Sequence, residues 1–369
     1  MKSILLIVFI LVVATSGWSQ IVNTATMDTL ESTMIGHLGV GGYIDTYYSY
    51  NFHDPGRDYT PYLINSARQN SMSINLAYID LRYRSKNLRA RFVPGFGTYM
   101  NLNYVSEPTT LKNIVEGYVG VRLSEKKNIW LDAGVFGSPY TNESAISKDH
   151  LMYTRSFAPE YVPYYLSGVK VSVPLAERWN AFFYLLNGWQ VIDDNNSKKS
   201  LGTQVEFRPN KQMLFNWNTY IGDERSDLHP DYRARWFSDV FWIFKPNDEW
   251  DFTSCVYIGD QQFEGKDDEL WWQANGIARY TFTPKSSLSG RLEYFSDSGA
   301  VVAENIGTPG FGFRSYSSGL CYNYKINQNA LFRVEGRYFF SPDSVYPDGN
   351  DTSLGKQSTL VVASLTAWF

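Results

Sequence analysis

Cysteine and histidine are both scarce in this chain of 369 residues. Its two cysteines, Cys255 and Cys321, lie far apart in strand-like stretches. They offer neither a disulfide framework nor the paired spacing of a zinc site, and both read as small packing residues. The four histidines, His37, His53, His150 and His229, fall at strand margins or in connecting stretches. None stands beside a serine in a strand row and no H-E-x-x-H occurs, so hydrolytic chemistry finds no nucleophile–base pair. The glycine cluster GVGGY (39–43) lacks the lysine and following helix of a phosphate loop; it reads as a bend in a first strand. Charge is also limited. A net charge of −4, with 19% charged residues, supplies neither a basic face for nucleic acid nor a long acidic tail. Past the N-terminus no apolar run approaches ~18 residues, which excludes helical membrane spans. Nothing here points to an enzyme, and no metal or other cofactor is required.

The N-terminus is the exception to the last absence. MKSILLIVFILVVATSGWSQ sets Lys2 before an apolar run, Ile4 to Ala14, with small residues Gly17 and Ser19 behind it. This is the pattern of a cleaved signal peptide over 1–19, cut before Gln20. The run is too short for a spanning anchor, which needs ~20 residues, and no cysteine follows it to take a lipid. The expected organisation is a signal peptide (1–19), a periplasmic N-terminal segment (20–37) and one large unit from 38 to 369.

Aromatic residues are abundant, at 17% with 27 tyrosines and 11 tryptophans. They sit in segments of period-two alternation. In NLRARFVPGFGTYM the row Leu88, Ala90, Phe92, Pro94, Phe96 is apolar, while Arg89, Arg91, Gly95 and Gly97 take the other face. ALFRVEGRYFF likewise sets Ala330, Phe332, Val334 and Tyr338 against Arg333, Glu335 and Arg337. About 16 such segments are predicted, an even number. They span 38–52, 72–84, 87–100, 114–124, 129–138, 164–175, 179–190, 199–208, 212–222, 233–245, 250–260, 270–283, 287–297, 312–326, 329–341 and 356–369.

Short and long connections alternate between these segments. The short ones include SK, EKKN, AER and NQN; three others follow a Phe-x-Pro repeat at 207–209, 244–246 and 282–284. Proline ends each strand because it has no ladder N–H, and the ring before it suits a membrane interface. The long connections are polar, such as 139–163 and SPDSVYPDGNDTS. A soluble sandwich would also alternate, but the two loop classes, the export signal and the even count favour a closed antiparallel transmembrane β-barrel. It would have about 16 strands, short periplasmic turns and long extracellular loops. In hydrocarbon a sheet spans only by closing on itself. The last segment, STLVVASLTAWF, must therefore pair with the first rather than fray. Val361, Ala363, Leu365, Ala367 and terminal Phe369 also match the C-terminal pattern read by barrel-assembly machinery, with Phe369 as its key residue.

With YLLNGWQ (184–190) and RARFVPGFGTYM (89–100), this pattern resembles the putative β-barrel porin (OmpL-like) family of diderm outer membranes. The resemblance spans nearly all of the mature chain and implies a pore-forming role. An outer-membrane channel for passive diffusion of small hydrophilic solutes is thus expected, with lipid and lipopolysaccharide around it. A homo-oligomer is compatible with this reading. The alternative is a non-conducting barrel that serves as scaffold or subunit of a larger uptake or secretion assembly. Charges placed on inward rows near mid-depth are Arg91, Lys170, Glu206, Arg279, Arg291, Glu293, Arg333, Glu335 and Arg337. Arg89, Glu116, Arg122, Arg208, Arg233, Arg235 and Asp239 fall nearer the rims. Basic groups predominate, which predicts a modest anion preference, although cross-strand Arg–Glu ladders would use the same residues. The arrangement is similar to general porins, whose loop at the place of 139–163 folds inward. Glu143, Lys148, Asp149, His150, Arg155 and Glu160 are then constriction candidates; the other expectation is a loop shielding the outer surface. Acidic pairs such as Asp193-Asp194 read as solvated loop groups.

Overall fold

The computed structural model describes residues 33–369 apart from Gly36, Pro55 and Pro309. The expected signal peptide, 1–19, lies outside the described residues. The main sheet has 17 strands, of which one is the short piece Thr33–Ile35. The remaining sixteen close into a cylinder, every neighbour antiparallel. They are β1 (Leu38–Asn51), β2 (Ser73–Arg84), β3 (Leu88–Phe96), β4 (Ile114–Ser124), β5 (Ile129–Gly137), β6 (Tyr165–Ala176), β7 (Trp179–Leu186) and β8 (Ser200–Asn210). The second half comprises β9 (Met213–Asp223), β10 (Tyr232–Phe244), β11 (Trp250–Phe263), β12 (Glu269–Thr283), β13 (Ser286–Asp297), β14 (Phe313–Asn327), β15 (Ala330–Phe340) and β16 (Gln357–Trp368).

Alternation decides which side each residue faces. Val40, Ile44, Phe92, Val119, Phe183, Val240, Leu292 and Leu365 are exposed on the outer wall, while Asp45, Asp80, Arg91, Glu206, Arg291 and Glu335 are buried within it. Rings gather at both ends of the apolar band. On the periplasmic side Phe207 stacks on Trp179 with centroids 4.2 Å apart, and Phe244 and Phe282 join Phe252 and Tyr322. On the other side Tyr294 links Trp272 and Tyr316 at 4.9 and 4.5 Å. These girdles are where amphipathic rings rest at membrane–water interfaces.

The seam forms where β16 meets β1, from Leu360↔Asn51 to Trp368↔Tyr43. Phe369 continues it with two backbone bonds to Gly42, at 3.0 and 3.1 Å. A Cβ on Gly42 would come within 2.3 Å of the Phe369 ring. Gly42 thus makes room for the terminal ring on the outer wall. Thr33–Ile35 pairs with β1 just beyond, from Thr33↔Val40 to Ile35↔Leu38. That piece of the expected N-terminal segment covers the edge β16 leaves.

Two predicted strand ends run four residues past the observed ones. The third segment stops at Phe96, and α1 (Thr98–Asn103) follows. Gly97 sits at φ +139°, and a Cβ there would meet the Asn75 carbonyl oxygen at 2.3 Å, so the chain turns off the wall at a position only glycine fits. The seventh ends at Leu186 rather than 190. There Gln190 adopts φ 57°, and Trp189 turns onto Phe237 at 5.2 Å.

Candidate functional site

The segment 139–163 leaves β5 and returns to β6 through a closed neck, the Ser138 amide donating to the Tyr164 carbonyl at 3.1 Å. Between these points it crosses the lumen. It carries a single turn, Ser147–Asp149, and the short helix α2 (Phe157–Glu160), which Ser156 caps through the Ala158 amide. Its residues form the inner part of a packed core: Phe157 lies 5.7 to 5.9 Å from Phe295, Phe313 and Phe339. The segment 52–72 joins them, with Tyr62 stacked on Phe313 at 3.9 Å. Because both segments come from extracellular connections, the extracellular half of the cylinder is the filled half.

Five of the charges expected in the lumen hold this loop by its backbone. Glu335 accepts from the amides of Tyr153 and Thr154 at 2.8 and 2.9 Å and from the Thr154 hydroxyl. Arg291 donates to the Thr154 carbonyl at 2.7 Å, and Arg337 to that of Arg155 at 2.8 Å. Arg333 bridges the carbonyls of Met152 and Ser147, at 2.8 and 2.7 Å. Glu293 accepts from the Phe157 amide. These groups also pair among themselves: Arg291 lies 3.0 Å from Glu293 and 3.2 Å from Glu335, and Arg337 lies 2.7 Å from Glu293. Their side chains are fully out of water. Backbone dipoles and opposite charges together satisfy ions that could not otherwise be buried.

Polar groups, most of them uncharged, hold the loop from the opposite wall. Asn218 donates to the Pro139 carbonyl at 2.9 Å, and Asp239 accepts from the Thr141 amide at 3.1 Å. Asn142 reaches Thr253 and Asn275 at 3.0 and 3.1 Å, and Asn275 reaches Ser156 at 2.9 Å. On the first strand Tyr43 meets the Ser147 hydroxyl at 2.8 Å. An inventory of charges alone misses Asn218, Asn275 and Tyr43. The available signal was asparagine on an inward strand row, a residue depleted from strands unless its amide has work to do.

Of the six loop candidates, four are deeply buried. Arg155 folds back on its own loop, donating to the carbonyls of Ser144 and Tyr153 at 2.8 and 2.6 Å. Glu143 accepts from the Ser156 amide at 2.8 Å, and burial raises its pKa. The His150 ring nitrogen Nε2 accepts from the Ser144 amide at 2.9 Å; burial, with Arg155 and Arg333 nearby, lowers its pKa and keeps it neutral. Glu160 accepts from the amide of Ile64 at 2.6 Å, joining the loop to segment 52–72, and burial pushes its pKa up to about 7. Lys148 and Asp149 pair at 2.6 Å, with the ammonium 5.5 Å from the Trp368 ring.

The periplasmic half is lined differently. Arg91 bridges Asp80 and Glu116 at 2.6 and 3.1 Å, with Arg82 on Asp80 at 2.7 Å. Arg89 binds Asp132 at 2.6 Å, and Lys170 approaches the same carboxylate at 3.6 Å. Arg279 binds Asp251 at 2.8 Å, and Arg208 lies 3.8 Å from Glu206. The pairs of Arg91, Arg89, Lys170 and Arg279 run between strands, whereas Arg82–Asp80 and Arg208–Glu206 each lie two residues apart on one strand. Their exposure is unequal, however: Arg279, Arg208 and Arg89 side chains are 28%, 26% and 23% exposed, against 12%, 2% and 0% for Asp251, Glu206 and Asp132. Asp194, read from the sequence as a solvated loop group, pairs with Lys199, and Asp343 pairs with Arg314.

The sequence profile of the family described as putative beta-barrel porin-2, OmpL-like, matches residues 37–369. The chain belongs to this family. It is an outer-membrane β-barrel of the porin type. No curated protein sequence matches it. Among solved structures, the outer membrane channel DcaP of Acinetobacter baumannii is similar at a TM-score of 0.60 and 11% identity, covering 90% of this chain and 97% of its own. The outer-membrane expressed OmpT of Vibrio cholerae gives 0.59 and 11%, over 92% of this chain and 100% of that one. An anion-selective porin from Comamonas acidovorans gives 0.59 and 9%, over 90% and 99%. At such identities the likeness is one of fold.

Proposed function

We propose that this family member is a passive channel for small hydrophilic solutes, narrowed from within by 139–163 and modestly selective for anions. The supporting observation is the asymmetry of the periplasmic ion pairs, in which the side chains of Arg89, Arg208 and Arg279 are partly exposed and their carboxylate partners are more deeply buried. A cationic surface in a confined passage lowers the barrier to negative solutes. Catalysis has no part in this reading. Homo-oligomers fit it, since one related structure, OmpT of Vibrio cholerae, is described in a trimer form.

Reversal potentials across planar bilayers in a salt gradient test the proposal. Anion preference is expected, reduced when Arg89, Arg208 and Arg279 are together replaced by glutamine. Cation preference in the unaltered protein overturns the selectivity. Absence of conductance supports the second reading, a scaffold barrel, which the filled extracellular half favours. A stoichiometric partner copurifying in detergent would then be expected.

A further inference from the structure

One cation of the lumen wall stands apart from these ion pairs. Arg235, near the extracellular end of β10, is 5% exposed. Its Nε donates to Gln261 at 2.8 Å, and among the described residues no carboxylate lies within ion-pair distance of it. Its terminal nitrogens have no protein partner there, and neither is sealed from solvent. Three rings box the guanidinium, with its carbon 5.1 Å from Trp189, 5.4 Å from Trp271 and 5.8 Å from Tyr232. Such a box attracts and orients a cation but offers its N–H groups no acceptor. A buried guanidinium fork without an acceptor is costly by itself. It suits a ligand that brings a carboxylate, which binds it through two parallel bonds.

Arg235 lines a vestibule of about 600 Å³ open to the extracellular side, with Tyr161, Trp189 and Tyr232 on its walls. The same space is lined by Glu160, Glu224 and Glu304. Glu160 is bound to the Ile64 amide, and Glu304 takes the Gly310 amide at 2.6 Å. Glu224 accepts from the Tyr220 hydroxyl, and the Tyr220 ring stands edge-on to Trp189 at 5.0 Å. Glu224 and Arg235 thus line the same space, Arg235 against the Trp189 ring and Glu224 linked to that ring through Tyr220. Asp297, also near Arg235, is taken up by the amides of Val301, Val302 and Ala303 at 3.0, 2.7 and 2.8 Å. A plain anion entering here would satisfy Arg235 but face surrounding carboxylates. A neutral solute would leave Arg235 unanswered.

We propose that this vestibule is a recognition subsite for a zwitterionic solute of short-peptide size, its carboxylate on Arg235 and its ammonium toward Glu224. Aromatic walls favour an apolar or aromatic side chain between the two ends. The inference deepens the channel reading by naming a solute class, yet binding can be measured whether or not current flows. Calorimetry on the detergent-refolded full barrel would use glycyl-phenylalanine, its C-terminal amide and its N-acetyl form. The dipeptide is expected to bind, and each blocked form about tenfold more weakly, because each loses one charge-assisted contact. Arg235→Gln abolishes the preference over the amide, and Arg235→Lys, which cannot form the fork, recovers it only in part. Heat-modifiable migration in gels confirms that both variants fold. Equal binding of all three probes, tighter binding of the N-acetyl form, no dipeptide binding, or an unchanged preference in Arg235→Gln each overturns the subsite. Conductance in simple salt stands apart from these outcomes and tests the channel alone.

Discussion

At the scale of single residues, inward position does not mean contact with water. Glu335 and Glu293 face the lumen, yet each ends on loop amides and arginines with no exposed side-chain surface. Removing one charge from such a cluster leaves its partner buried and uncompensated, at about 3–5 kcal/mol. Glu335→Gln should therefore lower the denaturant midpoint of the refolded barrel and give larger, noisier single-channel currents as 147–157 loosens. Retained noise and midpoint would mean the clasp is dispensable. Glu160 adds a pH dependence of defined sign. Burial raises its pKa from 4.5 to about 7, although Arg155 and Arg337 pull the other way. The seated loop thus holds this proton more tightly than a released one. Its advantage is complete below the ordinary carboxylate range and declines as pH rises to about 7. Currents should be quieter at about pH 5 than at about pH 8, and Glu160→Gln, always neutral, should remove the difference.

At the scale of elements, the strands were legible because each crossing must show oil to one face and water to the other. The predicted ends mostly lie within a residue or two of the observed ones, as for Ile114–Ser124 and Phe313–Asn327. The misplaced ends fall where apolar residues leave the wall but keep the alternation, as Tyr99 and Met100 do in α1. Length and position identified 139–163 as the loop to watch. What the sequence did not disclose is how it is held, because Met152, Tyr153 and Thr154 are held largely through backbone groups that carry no signature of their own. Its partners lie some 180 residues away, with separations of 182 for Tyr153 to Glu335 and 181 for Met152 to Arg333. Residue type therefore revealed inward charge but not its destination. Deleting 144–156 tests the element as a whole. Its neck and the wall pairing of β5 with β6 are outside the cut, so the barrel should still fold. Arg291, Arg333 and Arg337 would then meet water, raising conductance severalfold and strengthening anion preference. Unchanged conductance would place the barrier elsewhere in the lumen.

At the scale of the whole molecule, the cylinder depends on a seam made by residues at opposite ends of the barrel sequence. A closed sheet has no free edge, so its last strand gains its partner only when its first is in place. Here the final contact is Phe369 on Gly42, with the ring 64% exposed on the lipid side. The same residue can thus be offered outward during assembly and lie against the wall afterwards, and two substitutions separate these roles. Gly42→Val would set a side chain where the Phe369 ring lies, 2.3 Å from a Cβ, displacing the ring and opening the end of the seam. The purified variant should lose its folded gel band at lower temperature, a shift of several degrees. Phe369→Ala keeps both backbone bonds and removes only an exposed ring, so its purified barrel should melt almost as the unaltered one does. If the ring is the assembly signal, the alanine variant should nevertheless accumulate poorly in the outer membrane of growing cells. Normal accumulation, together with the lowered stability of Gly42→Val, would leave Phe369 as a closing contact without a role in recognition.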